Sequence, residues 1–201
     1  MSDQKWPLWM PLRDDLKPLS PYGAPQVPAQ ATLNTNENPY PPSPELAQAI
    51  ADRVHSVAIN LNRYPDRDAV TLRSELAKFI NSLSATSFGV EEIWAANGSN
   101  EIIQSLFMAF GERPALGFTP SYSMHPLIAK VIGTKWNDGG RRADFSLDLA
   151  KAKSDIAKIK PGLTFITTPN NPTGTTVTLA EIQELAIATG QIQGLLIVDE
   201  A

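Results

Sequence analysis

Cysteine is absent from the chain, and its only two histidines, His55 and His125, stand 70 positions apart. The first absence excludes a disulfide scaffold, a thiolate metal site and a catalytic thiol. The second excludes a multi-histidine metal cluster, so no metal site is expected. No run of about 18 apolar residues occurs, so no membrane-spanning helix is expected. The start, Met1-Ser2-Asp3-Gln4-Lys5, lacks the cationic and then apolar profile of a secretion signal. There is no excess of positive charge either: 17 Lys and Arg face 21 Asp and Glu, for a net charge of −4. A general nucleic-acid binder needs a basic face to neutralise phosphates, and that class drops out. The expectation is a soluble cytoplasmic protein without nucleic-acid or membrane partners.

What is present is a 201-residue chain with 42% hydrophobic residues, enough to bury a core. Ten of its 17 prolines lie within the first 44 residues. Their fixed φ and missing N–H oppose both helix and central strand, so residues 1–42 read as an extended arm. From Ser43 on, helices and strands alternate. Ser43-Pro44-Glu45 combines an N-cap, a proline at the first helical position and an acid in the first turn. Leu46, Ile50, Val54 and Val57 follow at helical spacing. A second helix after Asp68 carries Leu72, Leu76, Phe79 and Ile80. Ile93-Trp94-Ala95-Ala96 reads as a short buried strand running through Asn97-Gly98-Ser99-Asn100 into a helix that ends near Gly111. Further strands are expected at 115–118, 164–168 and 195–198. Between them lie a helix stopping at Gly133 and one opened by the capping box Thr178-Leu179-Ala180-Glu181. Short apolar strands separated by helices predict an α/β fold, mostly a parallel sheet with helices on both faces.

Ligands of open α/β sheets bind beyond the carboxyl ends of the strands. At those ends stand Asn97-Gly98-Ser99-Asn100, Thr119-Pro120-Ser121-Tyr122, Pro169-Asn170-Asn171-Pro172-Thr173-Gly174 and Asp199. Small residues opening a helix expose backbone N–H groups at its positive end, an anion site suited to one phosphate. The loop is neither a Walker A loop nor a GxGxxG fingerprint, and Ser99 reads equally as an ordinary N-cap. Asp199 follows four apolar residues. A carboxylate on a buried strand tip is costly unless a cation or donors meet it, and a protonated ring nitrogen of a cofactor is a better partner than a metal. Asn171 stands 28 positions before Asp199, one strand–helix–strand unit away; Asn-Pro-Thr-Gly is also plain turn chemistry. Tyr122 either stacks on a planar ring or packs at a helix start. Tyr64 is a phenol on a loop, open to a phosphate or to solvent alone. Lys151, Lys153, Lys158 and Lys160 read as a solvated helix face with Asp148 and Asp155, and His125 as a polar surface residue. A Ser–His–Asp hydrolase lacks its Gly-x-Ser-x-Gly elbow.

Gly98-Ser99-Asn100, Pro120-Ser121-Tyr122, Asn170-Asn171-Pro172-Thr173-Gly174 and Val198-Asp199-Glu200-Ala201 occur in the order found in fold-type-I aminotransferases that use pyridoxal 5'-phosphate (PLP), and the chain resembles that family. Pro21-Tyr22-Gly23, Leu33-Asn34-Thr35-Asn36-Glu37-Asn38-Pro39 and Leu61-Asn62-Arg63-Tyr64-Pro65 are similar to the histidinol-phosphate aminotransferase family in its actinobacterial form, from about residue 12 to 201. The resemblance implies a homodimer with sites shared across subunits. Ser99 and Asn100 would hold the cofactor phosphate, Tyr122 would stack on its ring, Asn171 would bond the ring hydroxyl and Asp199 would pair with the ring nitrogen. Tyr64 would reach the cofactor phosphate of the neighbouring subunit, and Tyr22 the substrate phosphate across the dimer. Asn97 and the Asn36-Glu37-Asn38 segment would line the substrate pocket.

The implied reaction is transfer of an amino group from L-histidinol phosphate to 2-oxoglutarate, giving imidazole-acetol phosphate and glutamate, in histidine biosynthesis. The implied domains are the arm 1–42, a small-domain or linking helix and loop at 43–65, and part of a large cofactor-binding domain at 66–201. No lysine matches the family's Schiff-base lysine motif, so no catalytic residue is assigned within the chain, which is expected to be an N-terminal fragment, inactive and poorly soluble by itself. Alternatives that share the motifs are an aromatic amino-acid aminotransferase and a related PLP decarboxylase; a phosphate-binding fold without catalysis is the third.

Overall fold

Ser43 starts the first helix by the means its sequence supplies. Its Oγ accepts from the Leu46 N–H at 3.2 Å, with Pro44 in the first turn, where no proline N–H is missed. The structure is a computed structural model that describes residues 6–7, 9–20, 23, 28, 31, 35 and 37–200. The chain divides into two units, 1–95 and 96–201. Before Ser43 the described residues form turns, bends and irregular chain only.

The first unit holds α1 (Pro44–Ala58) and α2 (Val70–Ser84). Asp66 caps the entry to α2: its carboxylate accepts from Asp68 N–H at 3.2 Å and Val70 N–H at 3.0 Å. The stretch 93–96, expected as a buried strand, is not one. Ile93 has extended dihedrals (φ −108°, ψ 127°), but the segment joins no ladder among the described residues and Trp94 is 55% exposed. An extended segment becomes a strand only when its backbone groups pair with another. Here the guanidinium of Arg73 takes the carbonyl of Ile93 (2.6 Å) and that of Val90 (2.7 Å).

The second unit alternates regularly: α3 (Ser99–Phe110), β1 (Ala115–Gly117), α4 (Met124–Ile132), β2 (Trp136–Asp138), α5 (Leu149–Ile159), β3 (Leu163–Thr167), α6 (Leu179–Gln191) and β4 (Leu195–Asp199). All pairings are parallel, in the order β2-β1-β3-β4. Only β2, a three-residue edge strand, departs from the elements expected in this unit. Side chains alternate across the sheet as a period of two requires. Leu116, Phe118 and Ile166, with Leu196 and Val198, face Ala152 and Ile156 of α5, Leu185 of α6 and Leu147 just before α5. Ala115, Leu163 and Phe165, with Ile197, face α3 and α4 through Ile103, Phe107, Ile128 and Ala129. Phe107 and Phe165 stack with centroids 5.2 Å apart. The parallel α/β sheet with helices on both faces is thus as expected. Its β3–β4 register sets Thr167 opposite Asp199, so the strand ends are level along one carboxyl edge.

Candidate functional site

That edge collects the polar residues. At the start of α3, Gly98 takes φ 80°, a left-handed backbone that favours glycine, and no side chain caps the helix. Gly98, not Ser99, is therefore the N-cap, and Ser99 is the first helical residue. Glu101 turns back so that Oε2 accepts from the Asn97 N–H at 2.7 Å. Asn97, Ser99 and Asn100 are all exposed. The positive end of a twelve-residue helix is thereby left open to an anion.

From Asn100 a row of side chains crosses the edge to Asp199. The Tyr122 hydroxyl donates to Asn100 Oδ1 at 3.2 Å. The Tyr122 ring meets the His125 ring edge-on, with centroids 5.3 Å apart. His125 Nε2 lies 2.9 Å from Asp199 Oδ2. A carboxylate only accepts, so Nε2 carries the hydrogen of this bond. The imidazole is stacked on Phe165 at 4.6 Å and lies near Trp136 at 6.4 Å. The side chains of His125 and Asp199 keep only 3% and 10% of their accessible surface. The expectation of a surface His125 is thus corrected. It lies three residues after Tyr122, in the first turn of α4, and that turn faces the sheet. The same spacing was the one signal in the sequence that could have found it.

A second network binds the loops together. Ser121 Oγ lies 3.0 Å from Thr167 Oγ1 and donates to Asn170 Oδ1 at 2.8 Å. Asp138 at the end of β2 accepts from the backbone and hydroxyl of Thr119 and from Gly140 N–H. Burial pushes its carboxyl up, but the bonds from Thr119 and Gly140 outweigh that and hold it below the ordinary carboxylate range. Arg141 reaches the carbonyls of Phe118 (3.1 Å), Phe145 (3.2 Å) and Thr167 (3.4 Å), and burial lowers its guanidinium below its usual value.

Of the residues singled out in the sequence, Asn100, Tyr122 and Asp199 are thus linked through His125, and Asn97 and Ser99 stand beside Asn100 on the helix start. Asn171 is exposed in the loop after β3, next to the buried Asn170. Tyr64 belongs to the first unit and is fully exposed on the loop between α1 and α2. Tyr22 and Asn36 lie outside the described residues. Among the described residues no group of three His, Asp or Glu side chains could hold a metal ion, and no helix is long and apolar enough to cross a membrane.

Comparison with known proteins gives the site its context. The family model for aminotransferase class I and II matches residues 28–201. The chain is 51% identical over 195 residues to a histidinol-phosphate aminotransferase of Mycolicibacterium vanbaalenii, covering 96% of this chain and 52% of that protein. It is 50% identical over 194 residues to one of Mycolicibacterium smegmatis, covering 96% of this chain and 88% of that protein. The crystal structure of the histidinol-phosphate aminotransferase from Clostridium acetobutylicum superposes with a TM-score of 0.60, over 77% of this chain and 43% of that one; at 24% identity this shows a shared fold. The chain spans about half the length of several of the curated relatives it matches.

Proposed function

The chain belongs to the aminotransferase class I and II family, and from that premise we propose that its carboxyl edge binds pyridoxal phosphate in a histidinol-phosphate aminotransferase. The reaction proposed for the whole protein moves the amino group of L-histidinol phosphate to 2-oxoglutarate, leaving imidazole-acetol phosphate and glutamate. We place it in histidine biosynthesis, in the cytoplasm. The observation that carries the reading is the buried His125–Asp199 pair, joined by way of Tyr122 and Asn100 to a helix start that no side chain caps.

The residues fit such a cofactor by their chemistry. A phosphate suits the N–H groups of Ser99 and Asn100 and the positive end of α3. A flat ring suits the face of Tyr122. A basic ring nitrogen suits a carboxylate that is nine-tenths buried. When bound, PLP supplies an electron sink for charge developing at the substrate carbon. Asp199 favours the protonated ring nitrogen, since an adjacent anion stabilises the charged form. His125 fixes the carboxylate by occupying Oδ2, and Phe165 and Trp136 fix His125. Asn100 holds the Tyr122 hydroxyl and so orients the ring. Asn171, exposed beside Asn170, would donate to the ring hydroxyl.

The remaining roles rest on the family alone. Tyr64 serves the neighbouring subunit's cofactor phosphate in a homodimer, Tyr22 closes on the substrate phosphate, and Asn97 and Asn36 line the substrate pocket. The arm 1–42, the segment 43–65 and the domain 66–201 are proposed as the functional divisions. No lysine of this chain is assigned a covalent role.

The test is glutamate formation by the whole protein supplied with PLP and 2-oxoglutarate. A site built to bond a substrate group rejects analogues lacking it, so kcat/KM for histidinol phosphate should exceed that for phenylalanine at least about a hundredfold. Equal or reversed preference would point to an aromatic aminotransferase instead.

A further inference from the structure

Two neighbouring asparagines stand at the end of β3 and are put to different uses. Asn171 is exposed, whereas Asn170 is only 2% exposed. The whole carboxamide of Asn170 is engaged. Its Oδ1 accepts from Ser121 Oγ at 2.8 Å, and Nδ2 donates to Pro120 O at 3.0 Å and to Thr173 Oγ1 at 2.7 Å. Its backbone N–H donates to Thr175 O, and its carbonyl accepts from Gly174 N–H, both at 2.7 Å. One buried amide thus grips the two residues that precede Tyr122 and also the turn that follows Asn171.

The bonds close into a circuit. Thr173 Oγ1 lies 2.9 Å from Thr175 Oγ1, and Thr175 Oγ1 donates to Phe145 O at 3.2 Å. Arg141 ties Phe145 O to Thr167 O, and Thr167 Oγ1 returns to Ser121. The loops after β1 and β3 therefore share one satisfied polar core, and networks of this kind rigidify what they join.

We propose that Asn170 is a positioning residue that sets Tyr122 and Asn171 relative to each other, and so the tilt and hydroxyl contact of the planar ring assigned to them. The inference rests on the PLP-binding reading above. Only an amide meets these demands. Aspartate has the same shape but brings no donor to Pro120 O, whose carbonyl then faces a charged acceptor, and it is met by the Thr173 hydroxyl only if that group turns its hydrogen away from Thr175 Oγ1. Alanine leaves Ser121 Oγ and Pro120 O without their partner in a nearly closed space.

The experiment uses the whole protein with PLP, read by equilibrium titration and by visible circular dichroism of the bound cofactor at saturation. The dichroism reports ring orientation, which a loss of general stability does not move. Asn170→Asp, which disrupts the two bonds donated by Nδ2, and Asn170→Ala, which loses all three bonds of the carboxamide, are expected to weaken PLP binding about tenfold, and to change the dichroic band per bound cofactor. Ser121→Ala removes one of the three bonds of the Asn170 carboxamide, together with the contact to Thr167 Oγ1, and should shift both readouts in the same direction by less than the Asn170 variants do; it is read identically should Asn170→Ala not fold. Val177→Ala truncates a buried core residue outside the circuit. It should lower the melting temperature while leaving the band unchanged and affinity within about twofold. An unchanged band in Asn170→Asp, or the same change in Val177→Ala, overturns the positioning role alone. Absence of bound cofactor in the parent protein overturns the PLP reading, and the positioning role with it.

Discussion

Residues 96–201 bury apolar side chains on both faces of a sheet, while residues 44–95 turn most of theirs to solvent. In the second unit Phe107, Leu116, Ile156, Leu163, Phe165 and Leu185 are each 2% exposed or less. In the first, α1 buries no residue and α2 buries only Ala77, although Leu46, Ile50 and Val54 recur at helical spacing and remain more than half exposed. Apolar residues recur at helical spacing in both units. What separates them is the presence of a second surface, since periodicity specifies an element but burial needs something to pack against. The proposed site follows the same division. On the second unit's edge Asn100, Tyr122, His125 and Asp199 hold one another, whereas Tyr64 of the first unit is fully exposed.

Truncating one side chain in each unit measures this difference. Phe107→Ala removes a ring that is 1% exposed and stacked on Phe165, and should cost about 3–5 kcal/mol in thermal or denaturant unfolding. Next comes the edge itself. His125→Phe keeps the stacked ring but not the bond to Asp199, and a lost buried hydrogen bond to a charged group costs about 1–3 kcal/mol. No loss of stability or of PLP affinity in that variant would show the pair to be incidental. A smaller effect is expected in acid. The Asp138 carboxyl titrates below its ordinary value of about 3.9 when folded, so its contribution is complete above that value and disappears as the pH falls through the lowered one. Asp138→Asn should flatten the fall in melting temperature below about pH 4; parallel curves for the two proteins would remove Asp138 from the account. The smallest effect belongs to the first unit. Leu46→Ala on the 53% exposed face of α1 should change stability by no more than about 0.5 kcal/mol. A cost near that of Phe107→Ala would erase the contrast between the units.

Much of this was legible in the chain because its signals are local. Ser43 and Thr178 cap their helices through side-chain bonds to Leu46 N–H and Glu181 N–H, and Gly111 and Gly133 close α3 and α4. Asp199 could be found since four apolar residues carry a charge to the end of a strand. The misses depend on partners distant in sequence. The stretch 93–96 has the composition of a strand, yet no ladder partner decides in its favour. Trp136–Asp138 is a strand because β1 lies beside it, with Ala115 opposite Trp136. His125 looks like any polar residue near a helix start until Phe165, 40 positions later, supplies the ring it stacks on. The division of labour between Asn170 and Asn171 likewise depends on Ser121 and Pro120, about 50 positions earlier, which no short-range pattern reveals.

Under the proposed function, the carboxyl edge of β1, β3 and β4 binds a phosphorylated cofactor ring whose nitrogen meets Asp199. Equilibrium titration of the whole protein with pyridoxal phosphate, parent against Asp199→Ala, tests it most directly. The parent should bind stoichiometrically, and the variant about a hundredfold or more weaker, because the substitution removes the buried carboxylate at the end of β4 and strands His125 without its partner. Binding in Asp199→Ala within about twofold of the parent would contradict the account.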